Sequence, residues 1–325
     1  MKIVITGALG HIGSMFIREI PLCFPEAEII MIDNLSSQRY CSLFNLPIEG
    51  NHHFIEADVL NMDLKAVIKG ADVVAHLAAI TNAEDSFRNK EQVENTNYNA
   101  TVKVSEACAS SGAGMIYVSS TSVYGSQAQV VDEDCLSEEL KPQSPYAETK
   151  LKEEKFLQAL GVANGLRFVI CRFGTICGIS QGMRFHTAIN KFCWQAVMGQ
   201  PLTVWKTALH QKRPYLVLND AMNVFKFIIK NDLFDQRIYN ILTENLTVNS
   251  IIELIKQHVP NLAIQYTHAS IMNQLSYDVS SQRFRKLGFE FTGSIGKSIE
   301  DTIGLLNSKS GGKRAGKKDI HQAGI

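Results

Sequence analysis

An α/β fold built on a doubly wound parallel sheet, with a smaller C-terminal lobe, is what the sequence predicts from three observations. Apolar strand-like runs alternate with amphipathic helical stretches as far as residue 172, the rhythm of a parallel sheet covered by helices on both faces. The runs are short and almost continuously apolar, as strands buried on both sides require. The first, Ile3-Val4-Ile5, enters Thr6-Gly7-Ala8-Leu9-Gly10-His11-Ile12-Gly13 and then a helical pattern. Glycines so spaced allow a tight strand-to-helix turn, let backbone N–H groups reach a pyrophosphate and let helix pack on strand, which is the Rossmann fingerprint.

Taken in order, strands are predicted at Ile3–Ile5, Ile29–Ile32, His53–Glu56, Val73–His76, Met115–Val118 and Arg167–Arg172. Helices fit between them at His11–Ile20, Asp63–Ile68, Gln92–Ser110 and Pro145–Leu160. Beyond Arg172 the rhythm loosens. Helices are predicted over Thr187–Met198, Asp220–Lys230, Val248–Val259, Ser280–Leu287 and Ser294–Leu306, with strands at Leu202–Trp205 and Arg237–Ile241. Residues 1–172 thus read as the dinucleotide-binding domain, and 173–306 mainly as a substrate-binding lobe with some return to the sheet. The glycine- and lysine-containing stretch 307–325 lacks helical periodicity and reads as a flexible basic tail.

Lysine plus arginine and aspartate plus glutamate number 32 each, so no global charge recruits nucleic acid or an anionic membrane. No apolar run approaches a bilayer span, and the N-terminus enters a core strand at once, leaving no room for a signal peptide. The seven cysteines form no C-x-x-C pair, which fits free thiols in a reducing cytoplasm and no metal site. The expectation is a cytoplasmic protein without membrane or nucleic-acid partners.

The chemistry-bearing residues cluster in three places. Asp33 ends the second apolar run, about twenty residues past the glycines, where an acid reads a ribose hydroxyl. Tyr146 and Lys150 lie four apart on a predicted helix and so share one face. An ammonium beside a phenol favours the phenolate, which can take a proton from a sugar hydroxyl; the same spacing also suits a solvated helix face. Ser119-Ser120-Thr121-Ser122 follows the strand at Met115–Val118, which sets hydroxyls at the carboxyl end of a central strand, in the ligand crevice.

Together these pieces resemble the extended short-chain dehydrogenase/reductases, specifically the nucleotide-sugar epimerase/dehydratase group. The matching segments are TGALGHIG (6–13), IDNLS (32–36), ADV (57–59), HLAA (76–79), SSTSVYG (119–125), YAETK (146–150), RPYLVLND (213–220) and IYNI (238–241), in the family's order over residues 1–306. The resemblance implies NAD across the sheet and a nucleoside diphosphate sugar in the lobe. Gly7, Gly10 and Gly13 would cradle the pyrophosphate, with His11 and Ile12 inside the same turn. Asp33 and Asn34 would meet the adenosine ribose, where the carboxylate repels a 2′-phosphate; Arg39 nearby tempers that preference. Asp58 and Val59 would meet the adenine edge, Leu77, Ala78 and Ala79 would lie along the cofactor, and Asn97 would line the site floor. Ser120 falls on the catalytic serine position, Tyr146 on the acid/base, and Lys150 on the lysine that holds the nicotinamide ribose. Arg213 would clamp the substrate diphosphate, and Thr121, Ser122, Thr175 and Arg184 would complete the substrate side.

Two departures bear on function. Dehydratases of this group place carboxyls just after the catalytic serine or threonine to move protons at neighbouring carbons, whereas this chain has Thr121 and Ser122. The family's substrate-contacting asparagine is replaced by Thr175. The expected activity is therefore epimerisation through a keto sugar. Net 4-dehydrogenation or 4-keto reduction is the alternative, ahead of 4,6-dehydration or a noncatalytic NAD sensor. For Trp205 the expectation is core packing, and for His210 solvent. The resemblance also implies a homodimer through the helices at Gln92–Ser110 and Pro145–Leu160, where Ala100, Ala107, Ala109 and Ala147 would permit close approach, a composition that equally suits sheet-covering helices.

Overall fold

A computed structural model describes residues 1–83, 85–127, 129–267 and 277–309. The chain runs β1 (Lys2–Thr6), α1 (His11–Cys23), β2 (Glu28–Asp33), β3 (Asn51–Glu56), α2 (Leu64–Ile68), β4 (Val73–His76), α3 (Lys90–Ser111), β5 (Gly114–Ser120), α4 (Pro145–Asn164) and β6 (Phe168–Phe173). It continues through β7 (Thr175–Cys177), α5 (Ala188–Val197), β8 (Leu202–Trp205), β9 (Lys212–Val217), α6 (Leu218–Lys230), β10 (Ile238–Ile241), β11 (Glu244–Thr247), α7 (Val248–Lys256), β12 (Ile264–Thr267), α8 (Gln282–Arg285) and α9 (Ile295–Lys309).

Seven parallel strands form the main sheet in the order β10-β6-β5-β4-β1-β2-β3. Alternation along single strands supplies two cores. Ile3 and Ile5 point to the face covered by α1 and α6, where Phe16, Ile17 and Phe225 pack. Val4 points to the opposite face, with Val104 of α3 and Leu157 of α4. This double burial is why the strands lack polar alternation. Local signals fix the long helices. The Ser144 hydroxyl accepts from the Ala147 amide at 3.2 Å and Pro145 occupies the first turn of α4, while Gly165 ends it at φ 66°.

The later residues split between two bodies. β10 joins the edge of the main sheet and α6 lies on α1. The remainder forms a mixed sheet, β11-β9-β7, and a pair, β12-β8. Cys193, Leu202, Ile251, Ile255 and Ile299 make a separate core there among α5, α7 and α9.

Several expected bounds change. The helix predicted to Val259 ends at Lys256, since the His258 and Val259 amides both turn back to the Ile255 carbonyl ahead of Pro260. The helix predicted over Ser280–Leu287 shrinks to Gln282–Arg285, closed by Gly288 at φ 90°. Strands β7, β9, β11 and β12 were not anticipated: β9 carries Pro214, and β11 is polar Glu-Asn-Leu-Thr. Helix α9 runs to Lys309, so the expected tail does not begin at 307; its residues 310–325 lie outside the described residues. Ala100 and Ala107 pack in the chain's own core and Ala147 is buried too, so these three cover the sheet rather than a dimer seam. No helix among the described residues is long and apolar enough to cross a membrane.

Candidate active site

The chain passes from β1 outward to β2 and β3, then returns to β4 on the other side of β1. Strand order therefore reverses between β1 and β4, and a crevice opens at their carboxyl ends. The glycine turn lies there. Gly7 sits at φ 69°, and a Cβ on it would meet the Ala78 amide nitrogen at 2.6 Å; one on Gly13 would meet the Gly7 carbonyl at 2.3 Å. Only glycine fits these two positions. The turn presents the N-terminus of α1, whose dipole and free amides suit an anion.

Asp33, at the end of β2, accepts from the Leu9 amide at 3.0 Å and the Leu35 amide at 2.9 Å. The Asn34 amide donates to Asp58 at 3.1 Å. Asp33, Asn34 and Asp58 thus gather beside the turn, with Val59 buried behind them. A bare glycine cradle flanked by carboxylates at the ends of β2 and β3 fits a dinucleotide with unphosphorylated ribose.

A cavity of about 320 Å³ adjoins the turn. Gly7, Gly10, His11, Ile12 and Gly13 line one wall, and Leu77 and Ala79 follow from β4. Ser120, Thr121, Ser122, Tyr146 and Lys150 line another, and Thr175, Arg184 and Arg213 come from the lobe side. Asp33, Asn34, Asp58, Val59, Ala78 and Asn97 are not in its lining. Asn97 instead clamps the backbone of Ile80, accepting from its amide at 2.8 Å and donating to its carbonyl at 2.9 Å. It fixes the loop after β4 from below.

Sequence reasoning missed Thr81, Asn82, Tyr215 and Tyr277 as lining residues; Trp205 packs half-buried against the lobe core, as expected, and also lines the cavity. Tyr277 carries no local motif; Thr81 and Asn82 directly follow the HLAA run and were within reach of the sequence. His210 is exposed as expected.

Among the described residues no aspartate or glutamate lines the cavity, while Arg39, Lys150, Arg184 and Arg213 do. The Ser120 hydroxyl lies 2.8 Å from that of Ser122 and accepts from the Ser122 amide at 3.2 Å. Lys150 does not reach the Tyr146 oxygen by a hydrogen bond: its ammonium donates to the Tyr117 hydroxyl at 3.1 Å and lies 6.0 Å from the Tyr146 ring centre. Arg184 donates to the Thr81 hydroxyl. The lobe loop is stitched onto the turn, with the Gly182 amide on the Ser14 hydroxyl at 2.9 Å and the Ser180 hydroxyl 2.7 Å from His11 Nδ1.

Two imidazoles are buried neutral. Burial first, then the nearby Arg184 and Arg39, lowers His11 from 6.5 to about 3. Burial, then Lys150, lowers His76 from 6.5 to about 3. Between these values the unfolded chain binds more protons, so stability falls as pH drops below 6.5 and levels off near 3. Each histidine is expected to remove about 2 kcal/mol by pH ~5. Urea unfolding at pH ~7 and ~5 checks this, and equal unfolding free energies would contradict it.

A family model described as the NAD dependent epimerase/dehydratase family matches residues 3–241. The chain belongs to that family. It is similar to an uncharacterized UDP-glucose epimerase of Bacillus subtilis (strain 168), 31% identical over 79% of this chain and 81% of the relative. It is also similar to a trifunctional UDP-glucose 4,6-dehydratase/UDP-4-keto-6-deoxy-D-glucose 3,5-epimerase/UDP-4-keto-L-rhamnose-reductase of Arabidopsis thaliana, 29% identical over 89% of this chain. The chain spans 44% of that enzyme's length. Among solved structures it is similar to the UDP-glucuronic acid 4-epimerase of Bacillus cereus in complex with UDP-glucuronic acid and NAD, at a TM-score of 0.86 and 25% identity, covering 95% of this chain and 100% of the other. The resemblance to nucleotide-sugar epimerases and dehydratases, and the doubly wound fold, are borne out.

Proposed function

We propose that this member of the NAD dependent epimerase/dehydratase family epimerises a nucleoside diphosphate sugar, with NAD as a recycled cofactor. One observation carries the reading: Ser120, Tyr146 and Lys150 face the same cavity as the glycine turn, and no carboxylate among the described residues lines it. Four fixed cations without a facing acid suit two diphosphates, one from the cofactor and one from the substrate. Eliminating water needs an additional acid/base at the neighbouring carbons; Thr121 and Ser122 stand where the dehydratases carry theirs.

In this reading Gly7, Gly10, His11, Ile12 and Gly13 hold the cofactor pyrophosphate. Asp33, Asn34, Asp58 and Val59 hold the adenosine, and Asp33 selects NAD over NADP by repelling a 2′-phosphate. Leu77, Ala78 and Ala79 support the cofactor, and Asn97 braces the loop beyond them. A bound nicotinamide would supply the reversible hydride acceptor for the sugar carbon. Tyr146 takes the proton of the sugar hydroxyl as that carbon is oxidised, while Ser120 hydrogen-bonds the same oxygen. The resulting ketone turns over in the pocket, and Tyr146 gives the proton back once the other face is reduced. Arg213 clamps the substrate diphosphate, with Thr121, Ser122, Thr175 and Arg184 on the sugar. Residues 173–306 mainly form the substrate-binding lobe. We place the enzyme in the cytoplasm, where its free cysteines stay reduced. We propose a homodimer through the outer faces of α3 and α4, where Tyr98 and Phe156 pack edge to face at 5.8 Å.

The relatives' substrates choose the test compounds: UDP-glucose, UDP-glucuronic acid and dTDP-glucose incubated with the NAD-loaded protein in D2O and followed by proton NMR. An epimer without deuterium at the sugar carbons, and without lasting NADH absorbance, is the expected result. Water loss with deuterium uptake would make the protein a dehydratase, and stoichiometric NADH would make it a dehydrogenase.

A further inference from the structure

Glu153 lies on α4, three residues after Lys150, and is completely buried, with 0% exposure. One carboxyl oxygen accepts from the Thr101 hydroxyl at 2.9 Å. The other accepts from the Tyr117 hydroxyl and sits 3.3 Å from the Lys150 ammonium, an ion pair with both side chains out of water. Lys150 donates to the same Tyr117 hydroxyl, so lysine, tyrosine and glutamate close a triangle under the cavity.

Proton directions in this cluster follow from its donors. Thr101 gives its proton to Glu153, so its oxygen accepts from His76 Nε2 at 3.2 Å. His76 Nδ1 then accepts from the Thr6 hydroxyl at 2.7 Å, and the Thr6 oxygen accepts from the Ala78 amide at 3.3 Å. Every link points toward Glu153, whose two carboxyl oxygens are the acceptors at its end. A buried carboxylate is costly unless paired and hydrogen-bonded on both oxygens, and here both conditions are met. The cluster reaches from Lys150 to Thr6 at the mouth of the glycine turn.

We propose that Glu153 is a positioning residue for the reaction: it fixes the Lys150 ammonium beneath the Tyr146 ring and offsets part of the positive charge that the phenol meets. The inference rests on the epimerase reading, in which Tyr146 moves the hydroxyl proton. The other charged or titratable groups facing the pair are accounted for. Tyr117, from β5, is held neutral well above its usual range by burial and then by Glu153. His76, from β4, is neutral. Glu154 beside it is bound to Arg172 of β6. Arg184, from the lobe loop, lines the same cavity as Tyr146 and is felt by it electrostatically. Glu153 is thus the one carboxylate among these groups that answers Lys150.

Glu153→Gln keeps the shape and removes the charge. The uncompensated ammonium then favours the Tyr146 phenolate, so the acid limb of the kcat/KM profile moves to lower pH, by about one unit. The alkaline limb moves down with it, because the ammonium has lost its partner. A merely structural role would lower the rate without moving either limb. A second readout needs no turnover: ultraviolet titration of tyrosinate in Glu153→Gln, with Glu153→Gln/Tyr146→Phe subtracted, isolates the same shift. Limbs and titration that coincide with the unsubstituted protein overturn the inference. Should the glutamine variant not fold, Glu153→Asp withdraws the charge by one methylene, and its limbs are expected to move the same way by less; unmoved limbs overturn it again. If the unsubstituted protein turns over no nucleotide sugar, the epimerase reading fails, while the spectroscopic titration still decides the role of Glu153.

Discussion

Tyr146→Phe is expected to lower nucleotide-sugar turnover about 100- to 10,000-fold, the usual span for loss of a positioned acid/base. The substitution deletes one oxygen and leaves the ring, which faces the cavity and sits 6.0 Å from the Lys150 ammonium. Ser120 stays in place, held by the Ser122 amide, but among the described residues its hydroxyl is hydrogen-bonded to Ser122 and to no base that could replace the phenolate. The fold should survive, because the Tyr146 contact that anchors the start of α4 is a backbone one, its amide on the Ser86 hydroxyl at 3.4 Å. Single-turnover rates at saturating substrate, with circular dichroism as the control, make the measurement. A rate within about tenfold of the unsubstituted protein would remove Tyr146 from the chemistry. A protein that only senses NAD would keep its function in this variant.

The second large effect concerns stability. Glu154 is 1% exposed and Arg172 3%, and they meet through a fork of contacts at 2.7, 3.0 and 3.2 Å. The guanidinium also stacks 4.8 Å over the Tyr124 ring, and the Ser119 hydroxyl donates to the same carboxylate. Removing the carboxylate by Glu154→Ala leaves a buried cation without its partner, and the expected cost is about 3–5 kcal/mol. Chemical denaturation measures it directly. An exposed pair gives the contrast: Arg167 and Asp232 meet at 2.6 and 2.7 Å but remain in solvent, so Asp232→Ala should cost less than about 1 kcal/mol. Similar losses in both variants would refute the assignment of burial as the deciding factor.

Much of the molecule was legible in the residues. Five strands of the main sheet, β1, β2, β4, β5 and β6, announce themselves as apolar runs because they are buried on both faces, and the glycine turn is readable because no side chain fits at Gly7 or Gly13. The lobe is harder. Pro214 interrupts the look of β9, and Glu244 and Asn245 make β11 read as a loop, since their pairing depends on partners far along the chain. Tyr146 and Lys150 share a helix face by their spacing, but it is the resemblance carried by YAETK and SSTSVYG that gives them roles. Glu153 and Glu154 were passed over, for two acids on a helix ordinarily face water. Their burial is decided by Tyr117, Thr101 and Arg172, three residues on three other elements, and no local pattern reports that.

The seam at residues 180–182 has a mechanical consequence. A methyl group on Gly182 would stand 2.4 Å from the Leu9 carbonyl and 2.5 Å from that of Gly10, so this edge of the lobe is riveted to the anion cradle. Lobe and cradle are thus in backbone contact on this side of the cavity, while β9 brings Arg213 and Tyr215 to its lining.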